Sequence, residues 1–291
     1  MLTFFDYPFS VDLRHPCALT IGIFDGFHLG HRHLLQAMKD KIKKGTIVVV
    51  TFSSPPQKIL QHTPYFSSNL LPLQKRLHLL ENFGVDITFI LPFTQKLANF
   101  SFDFFLLRLK KIFRFSYLFL GEGATLGKDK KGNELTLPFL GKELDFDVIY
   151  LKKKRFEKII STTSIKENLY KGKISSANIL LGYSYYLFCT KKEKIDKNTY
   201  LIKLKEEYFL PSTGSYLCYL EKEGIIQEEK EKKILVFLEL NKEKKEGIIH
   251  LSLEKELIFP LKISFIEKIS EKEKLKFLKE KKALLLLEKH T

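Results

Sequence analysis

The segment Gly22 to His31 reads G-I-F-D-G-F-H-L-G-H, and it admits few folds. An apolar, strand-like run from Ala18 to Phe24 enters it. A helical pattern leaves it, with Leu34, Leu35, Met38 and Ile42 on one face. The segment therefore reads as a strand, a glycine-rich turn and a helix start. Gly22, Gly26 and Gly30 let backbone approach a ligand with no Cβ in the way. A helix N-terminus offers unpaired N–H groups and roughly half a positive charge, which suits phosphate. His28 and His31 stand at that start, where their ring nitrogens can donate to phosphate oxygens. The chemistry to which this arrangement points is nucleotidyl transfer.

Two other readings of the segment fail on residue type. A His-x-x-His pair often ligates metal, but no Cys or Glu lies nearby at zinc-site spacing. No metal site is expected here. A dinucleotide fingerprint needs G-x-G-x-x-G after the strand, and that spacing is absent.

The rest of the first half alternates strand and helix. Strand-like runs at Ile47–Phe52, Asp86–Leu91 and Tyr117–Leu120 are interleaved with helical spacing at His31–Lys43, Leu73–Phe83 and Phe102–Lys110. Such alternation predicts an α/β fold, a parallel sheet with helices on both faces, with ligands at the carboxyl ends of the strands. The Gly22–His31 turn, the Phe52–Pro56 loop and the Gly121–Gly127 loop all leave strands at that end, so they converge on one crevice. The pattern changes after about Gly182. Short β-like runs at Tyr200–Leu204, Ser215–Leu220, Ile234–Leu240, Gly247–Leu253 and Leu261–Ile266 are separated by charged turns, and a Lys/Glu-rich helix follows from Glu271. They predict a small antiparallel barrel or sandwich. The expected organisation is therefore two domains, 1–183 and 184–291.

With these residues in place, the first 185 or so positions resemble the bacterial FAD synthetases, the bifunctional riboflavin kinase/FMN adenylyltransferase family. G-x-F-D-G-x-H-x-G-H is similar to that family's ATP-binding signature. Four further stretches agree in order: Thr46 to Phe52 with Pro55-Pro56, Leu73 to Thr94 with G-V-D at Gly84 to Asp86, Leu118 to Gly127, and Ile160 to Gly182. The resemblance implies a Rossmann-like nucleotidyltransferase domain that binds ATP with Mg2+ and takes FMN as substrate and FAD as product. It implies that His28 and His31 are catalytic, and that Gly22, Phe24, Asp25, Gly26 and Gly30 bind ATP. By the same resemblance Ser161, Thr162, Thr163 and Lys166 hold the β- and γ-phosphates, and Phe52, Pro56 and Gly121 meet the flavin. Asp25 is expected to fix the turn rather than to act as a base.

The chain departs from the family pattern at several positions. Ser54 replaces the first proline of a T-F-x-P-x-P loop, and Gly123-Ala124 stand where the family carries Asp or Asn followed by Phe. Lys166 stands where it carries Arg, which keeps the charge but loses the planar two-pronged donor. The C-terminal half resembles the family's riboflavin kinase domain, with Leu210-Pro211, Gly214 and Tyr216 similar to its L-L-P-x-x-G-V-Y strand. Its chemistry is expected to be lost. Lys191–Lys205 holds nothing like G-x-P-T-A-N, Ile248 stands two residues before His250 where a Glu base is expected, and Ser270 stands where an Arg is expected. The leading expectation is an FMN adenylyltransferase with a degenerate kinase domain. A bifunctional enzyme and an inactive flavin- or nucleotide-binding protein are the alternatives.

Charge and cysteine usage agree with this reading. The formal net charge of +15 is concentrated in residues 1–183, with 26 Lys/Arg against 15 Asp/Glu, whereas 184–291 hold 23 against 19. A basic surround attracts anionic substrates such as ATP and FMN. No basic stripe with interleaved aromatics suggests a nucleic-acid partner, and no apolar run is long enough to span a membrane. Cys17, Cys189 and Cys218 are odd in number and scattered, so no disulfide framework is expected and a reducing cytoplasm is the expected setting. Nothing in the sequence sets an oligomeric state.

Overall fold

The structure, a computed structural model, describes residues 13–53, 68–153, 155–156, 158–189, 192–204, 208–222, 234–251, 257 and 261–276. The chain divides into two compact units, Met1–Thr162 and Thr163–Thr291.

The first unit is built on a five-stranded sheet. Its strands are β1 (Cys17–Ile21), β2 (Thr46–Phe52), β3 (Ile87–Leu91), β4 (Tyr117–Gly121) and β5 (Asp147–Leu151). Their order is β3-β2-β1-β4-β5 and every pairing is parallel, as the α/β alternation predicts. The first strand is therefore central, and the chain reverses its direction of winding there. Among the described residues the helices between strands are α1 (Leu29–Ile42), α2 (Leu73–Asn82), α3 (Gln95–Ala98), α4 (Phe102–Phe113) and α5 (Leu137–Glu143).

Side chains alternate across the sheet with the two-residue period of a strand. Cys17 and Leu19 of β1, with Val48 and Val50 of β2, join Leu106 and Leu109 of α4 in one core. Ala18, Ile47 and Val49 point the other way, into a core with Leu35 and Met38 of α1 and Leu80 of α2. Burial on both faces accounts for the unbroken apolar sequence of β2, every residue of which is buried. A short antiparallel ribbon, β6 (Arg155–Phe156) and β7 (Lys158–Ile159), follows the sheet.

The second unit opens with α6 (Thr162–Tyr170, which begins on the last residue of the first unit) and α7 (Ile174–Leu181). It then forms β8 (Tyr186–Cys189), β9 (Lys192–Asp196), β10 (Thr199–Lys203), β11 (Gly214–Lys222), β12 (Ile234–Asn241), β13 (Glu246–Leu251) and β14 (Leu261–Ile269). These make one antiparallel sheet, order β8-β14-β11-β12-β13-β10-β9, curled into a half-barrel and followed by a helix at 271–276. Asn178 ties α7 to it, donating to the Phe265 carbonyl at 2.9 Å and accepting from the Tyr185 amide at 2.7 Å. Cys17, Cys189 and Cys218 are all buried. No helix among the described residues is long and apolar enough to cross a membrane.

Candidate active site

The central strand ends at Ile21, short of the run to Phe24 that its apolar residues suggest. Gly22 still donates to the Val50 carbonyl at 3.0 Å, but Phe24 adopts φ 55°, ψ 29° and Gly26 φ 74°. This left-handed turn ends the strand. A Cβ on Gly22 would sit 3.1 Å from the Phe24 ring, so the glycine lets that ring fold back over the turn.

Helix α1 begins two residues earlier than its apolar periodicity indicates. His28 is its N-cap, with an extended backbone, and its Nδ1 accepts from the His31 amide at 3.3 Å. The spacing of three between the histidines is thus the separation of an N-cap from the residue whose amide it caps. The two rings stack with centroids 3.6 Å apart and 14° between planes, and the Phe24 ring lies 4.8 Å beyond His31. A Cβ at Gly30 would stand 3.1 Å from the His28 ring, so this glycine too makes room for an imidazole. Burial lowers the His28 pKa from 6.5 to about 4. Burial, then the nearby His28 and Arg76, holds His31 well below the usual range. Both rings are therefore neutral at pH 7. With His28 Nδ1 occupied as an acceptor, its proton lies on Nε2. The Nδ1 of His31 is buried and meets no partner among the described residues.

Asp25 faces away from this cavity. Its two carboxylate oxygens accept from the Leu70 and Leu71 amides at 3.0 and 3.1 Å, which joins the turn to the approach of α2. Arg76 of α2 is buried behind the same turn. It donates to the Ile23 carbonyl, and to the Phe52 carbonyl at 3.2 Å. Burial lowers its pKa, and the Asp25 charge opposes that shift. The turn is thus held from behind by a buried charge of each sign.

In front of the turn lies a cavity of about 240 Å3. His28, His31, Gly30, Phe24 and Gly22 form its wall at the end of β1 and the start of α1. Gly121 at the end of β4 and Ser161-Thr162 complete the predicted part. Thr162 Oγ1 donates to the Asp25 carbonyl at 3.3 Å. A Cβ at Gly121 would meet nothing within 4 Å among the described residues, so among them the cavity is open there. Gly26 is buried within the turn. Phe52 packs edge-on to Phe93, ring centroids 5.2 Å apart, in the core of the first unit; what it offers near the turn is its carbonyl. Pro56 lies outside the described residues. Thr163 and Lys166 fall in the second unit, where the Lys166 side chain is buried with its ammonium 5.7 Å from the Phe209 ring. The sequence reading missed Thr20, His33, Leu34 and the pair Lys152-Lys153, all of which line the cavity. The basic run from Lys152 to Arg155, directly after the apolar tetrapeptide Val148–Leu151, was the available signal for the lysines.

A parallel sheet with its central strand running into a glycine turn and a histidine-capped helix, over a cavity at the carboxyl ends of the strands, defines an α/β protein of the open-sheet class whose ligand sites lie at such strand ends. The FAD synthetase family model matches residues 11–164, more than half of the chain, and the protein belongs to that family. The bifunctional riboflavin kinase/FMN adenylyltransferase of Escherichia coli (strain K12) is 30% identical over 172 residues, covering 58% of this chain and 55% of the relative. The protein of the same name from Bacillus subtilis (strain 168) is 27% identical over 217 residues, 71% of this chain and 68% of the relative. The chain thus spans about half the length of the Escherichia coli relative that it matches. A solved structure described as a macrolide-efflux protein from Streptococcus pneumoniae matches with a TM-score of 0.77 at 21% identity, covering 92% of each chain, which shows a shared fold.

Proposed function

We propose that this protein is an FMN adenylyltransferase, transferring AMP from ATP to FMN to give FAD and pyrophosphate. The observation that carries the reading is the pair of stacked, neutral imidazoles at the capped start of α1, facing a cavity at the strand ends. ATP lies with its α-phosphate before His28 and His31. The terminal phosphate oxygen of FMN attacks the α-phosphorus in line, the bond to the β-phosphate oxygen breaks, and pyrophosphate leaves. His28 Nε2–H donates to an oxygen of the crowded phosphorus centre. His31, adjacent in the stack, serves the leaving group. Neutral donors of this kind, fixed before substrate arrives, stabilise charge that grows in the transition state, and the remainder of catalysis is positioning. Ser161 and Thr162 supply hydroxyls to the phosphate chain. Among the described residues that line the cavity none is a carboxylate, so Mg2+ enters as part of Mg–ATP, where it neutralises phosphate charge.

The second unit is proposed to be a kinase-like fold without kinase activity. His250 of β13 reaches Glu239 of β12, Nε2 to Oε1 3.1 Å, and Ile248 is the cross-strand neighbour of that same Glu239. Ser270 caps the helix at 271–276, its hydroxyl accepting from the Glu273 amide at 3.3 Å while the Glu273 carboxylate accepts from the Ser270 amide at 2.7 Å. These positions are thus used in holding the fold. The domains 1–183 and 184–291 and a cytoplasmic setting belong to the same proposal. Purified protein with Mg–ATP and either FMN or riboflavin, with flavins separated by chromatography, tests it. FAD from FMN with no product from riboflavin is expected. FMN and FAD from riboflavin would establish the bifunctional alternative, and absence of FAD from either would leave a nucleotide-binding protein.

A further inference from the structure

We infer that Lys152 and Lys153, at the carboxyl end of β5, are the cations that receive the triphosphate of ATP; this rests on the adenylyl-transfer reading of the cavity. Both lysines are exposed and both line the cavity that holds His28 and His31. Among the described residues of its wall they are the permanently charged side chains, because burial keeps the two imidazoles neutral. Arg76 lies behind the turn, with its guanidinium given to the carbonyls of Ile23 and Phe52. A triphosphate entering here therefore meets its counter-charge on the β5 side.

The two ammonium groups are also free to serve. Other lysines of the first unit are engaged: Lys39 donates to the Phe83 carbonyl and Lys110 to the Phe115 carbonyl. Neither Lys152 nor Lys153 has a carboxylate partner among the described residues. Their backbone is nevertheless held. The Lys153 amide donates to Glu122 Oε2 at 3.0 Å, and the Glu122 amide donates to the Leu151 carbonyl at 2.8 Å. Position 123 completes the arrangement. A Cβ on Gly123 would already lie 3.8 Å from Lys153 Nζ, so a longer side chain would compete for the space above the glycine. A held backbone carrying two cations at the wall of this cavity is a charge clamp.

The test is equilibrium binding of Mg–ATP and of AMP to the full-length protein, compared with K152A/K153A and K152R/K153R. The alanine pair is expected to bind Mg–ATP about tenfold more weakly with AMP binding unchanged, and the arginine pair to restore affinity. Equal loss for ATP and AMP would place the lysines against the nucleoside or the α-phosphate and overturn the inference. An unchanged ATP affinity would also overturn it. Formation of FAD by the wild type separates the two questions. Lysine-dependent ATP binding without FAD would sustain the clamp and sink the transferase reading. FAD formation with an unchanged KM for ATP in the alanine pair would do the reverse. Melting temperature checks that both variants fold.

Discussion

His28 gives its Nδ1 to the His31 amide, which leaves Nε2–H as its contribution to chemistry. Removing the ring in His28→Ala takes away both the donor and the cap. FAD formation is expected to fall by about 100-fold or more, the scale for a lost preorganised donor, measured as kcat with saturating FMN. Burial of the neutral rings also sets a pH dependence. The folded His28 takes up its proton only near pH 4, whereas the unfolded one does so near 6.5. Between these values the unfolded chain holds the extra proton, so stability rises with pH. Urea titrations should show about 3 kcal/mol lost on going from pH 6.5 to pH 4, with His31 acting in the same direction, and little change from this source above pH 6.5. Asp25 answers to a different measurement. Its carboxylate closes two buried amides and faces the buried Arg76 charge, so Asp25→Ala should cost about 3–5 kcal/mol of unfolding free energy. That is a stability effect, and a lowered denaturation midpoint would reveal it.

At the scale of elements, a segment was legible where its burial was periodic. β2 and α1 declare themselves by apolar residues on two faces or on one. β9, with the sequence Lys-Glu-Lys-Ile-Asp and every residue exposed, carries no such signal; it is a strand because β10 pairs with it. β5 is an edge strand of intermediate burial, and α5 is short and carries Pro at its start, so neither stood out. The cost of missing β5 was to miss Lys152 and Lys153 at its end. The histidine motif could be read because its function depends on local geometry, while the lysines become part of the site only through sheet order. The contact between β12 and the helix at 271–276 yields a further prediction. Burial alone would raise the Glu239 pKa, but the hydrogen bond and charge of Lys274, aided by His250, outweigh it and hold the carboxyl below its ordinary 4.5. Its stabilising contribution is thus present above pH 4.5 and lost as pH falls further. Glu239→Gln should lower the hydrogen-exchange protection factors of the 271–276 amides at pH 7, and acidification should then lower that protection less than in the wild type.

For the molecule as a whole, the two units predict different substrate dependences. The first carries the complete turn, cap and cavity, and the second carries a sheet whose expected kinase positions hold Ile248 and a helix-capping Ser270. Supplying FMN should therefore support FAD formation, and supplying riboflavin should not. The charge distribution fits this division, since the basic excess lies in the half that would meet two anionic substrates.

The cavity draws its walls from Thr20, from the start of α1, from Gly121 and from residues as late as Thr162. Because β1 is the centre of the sheet and β4 its neighbour, β1 waits about a hundred residues of synthesis for one of its two partners. A nascent chain arrested before β5 would display the whole G-I-F-D-G-F-H-L-G-H segment and yet lack the cavity walls that come from Leu151 to Thr162. The cavity is thus completed late in synthesis, once Thr162 is clear of the exit tunnel.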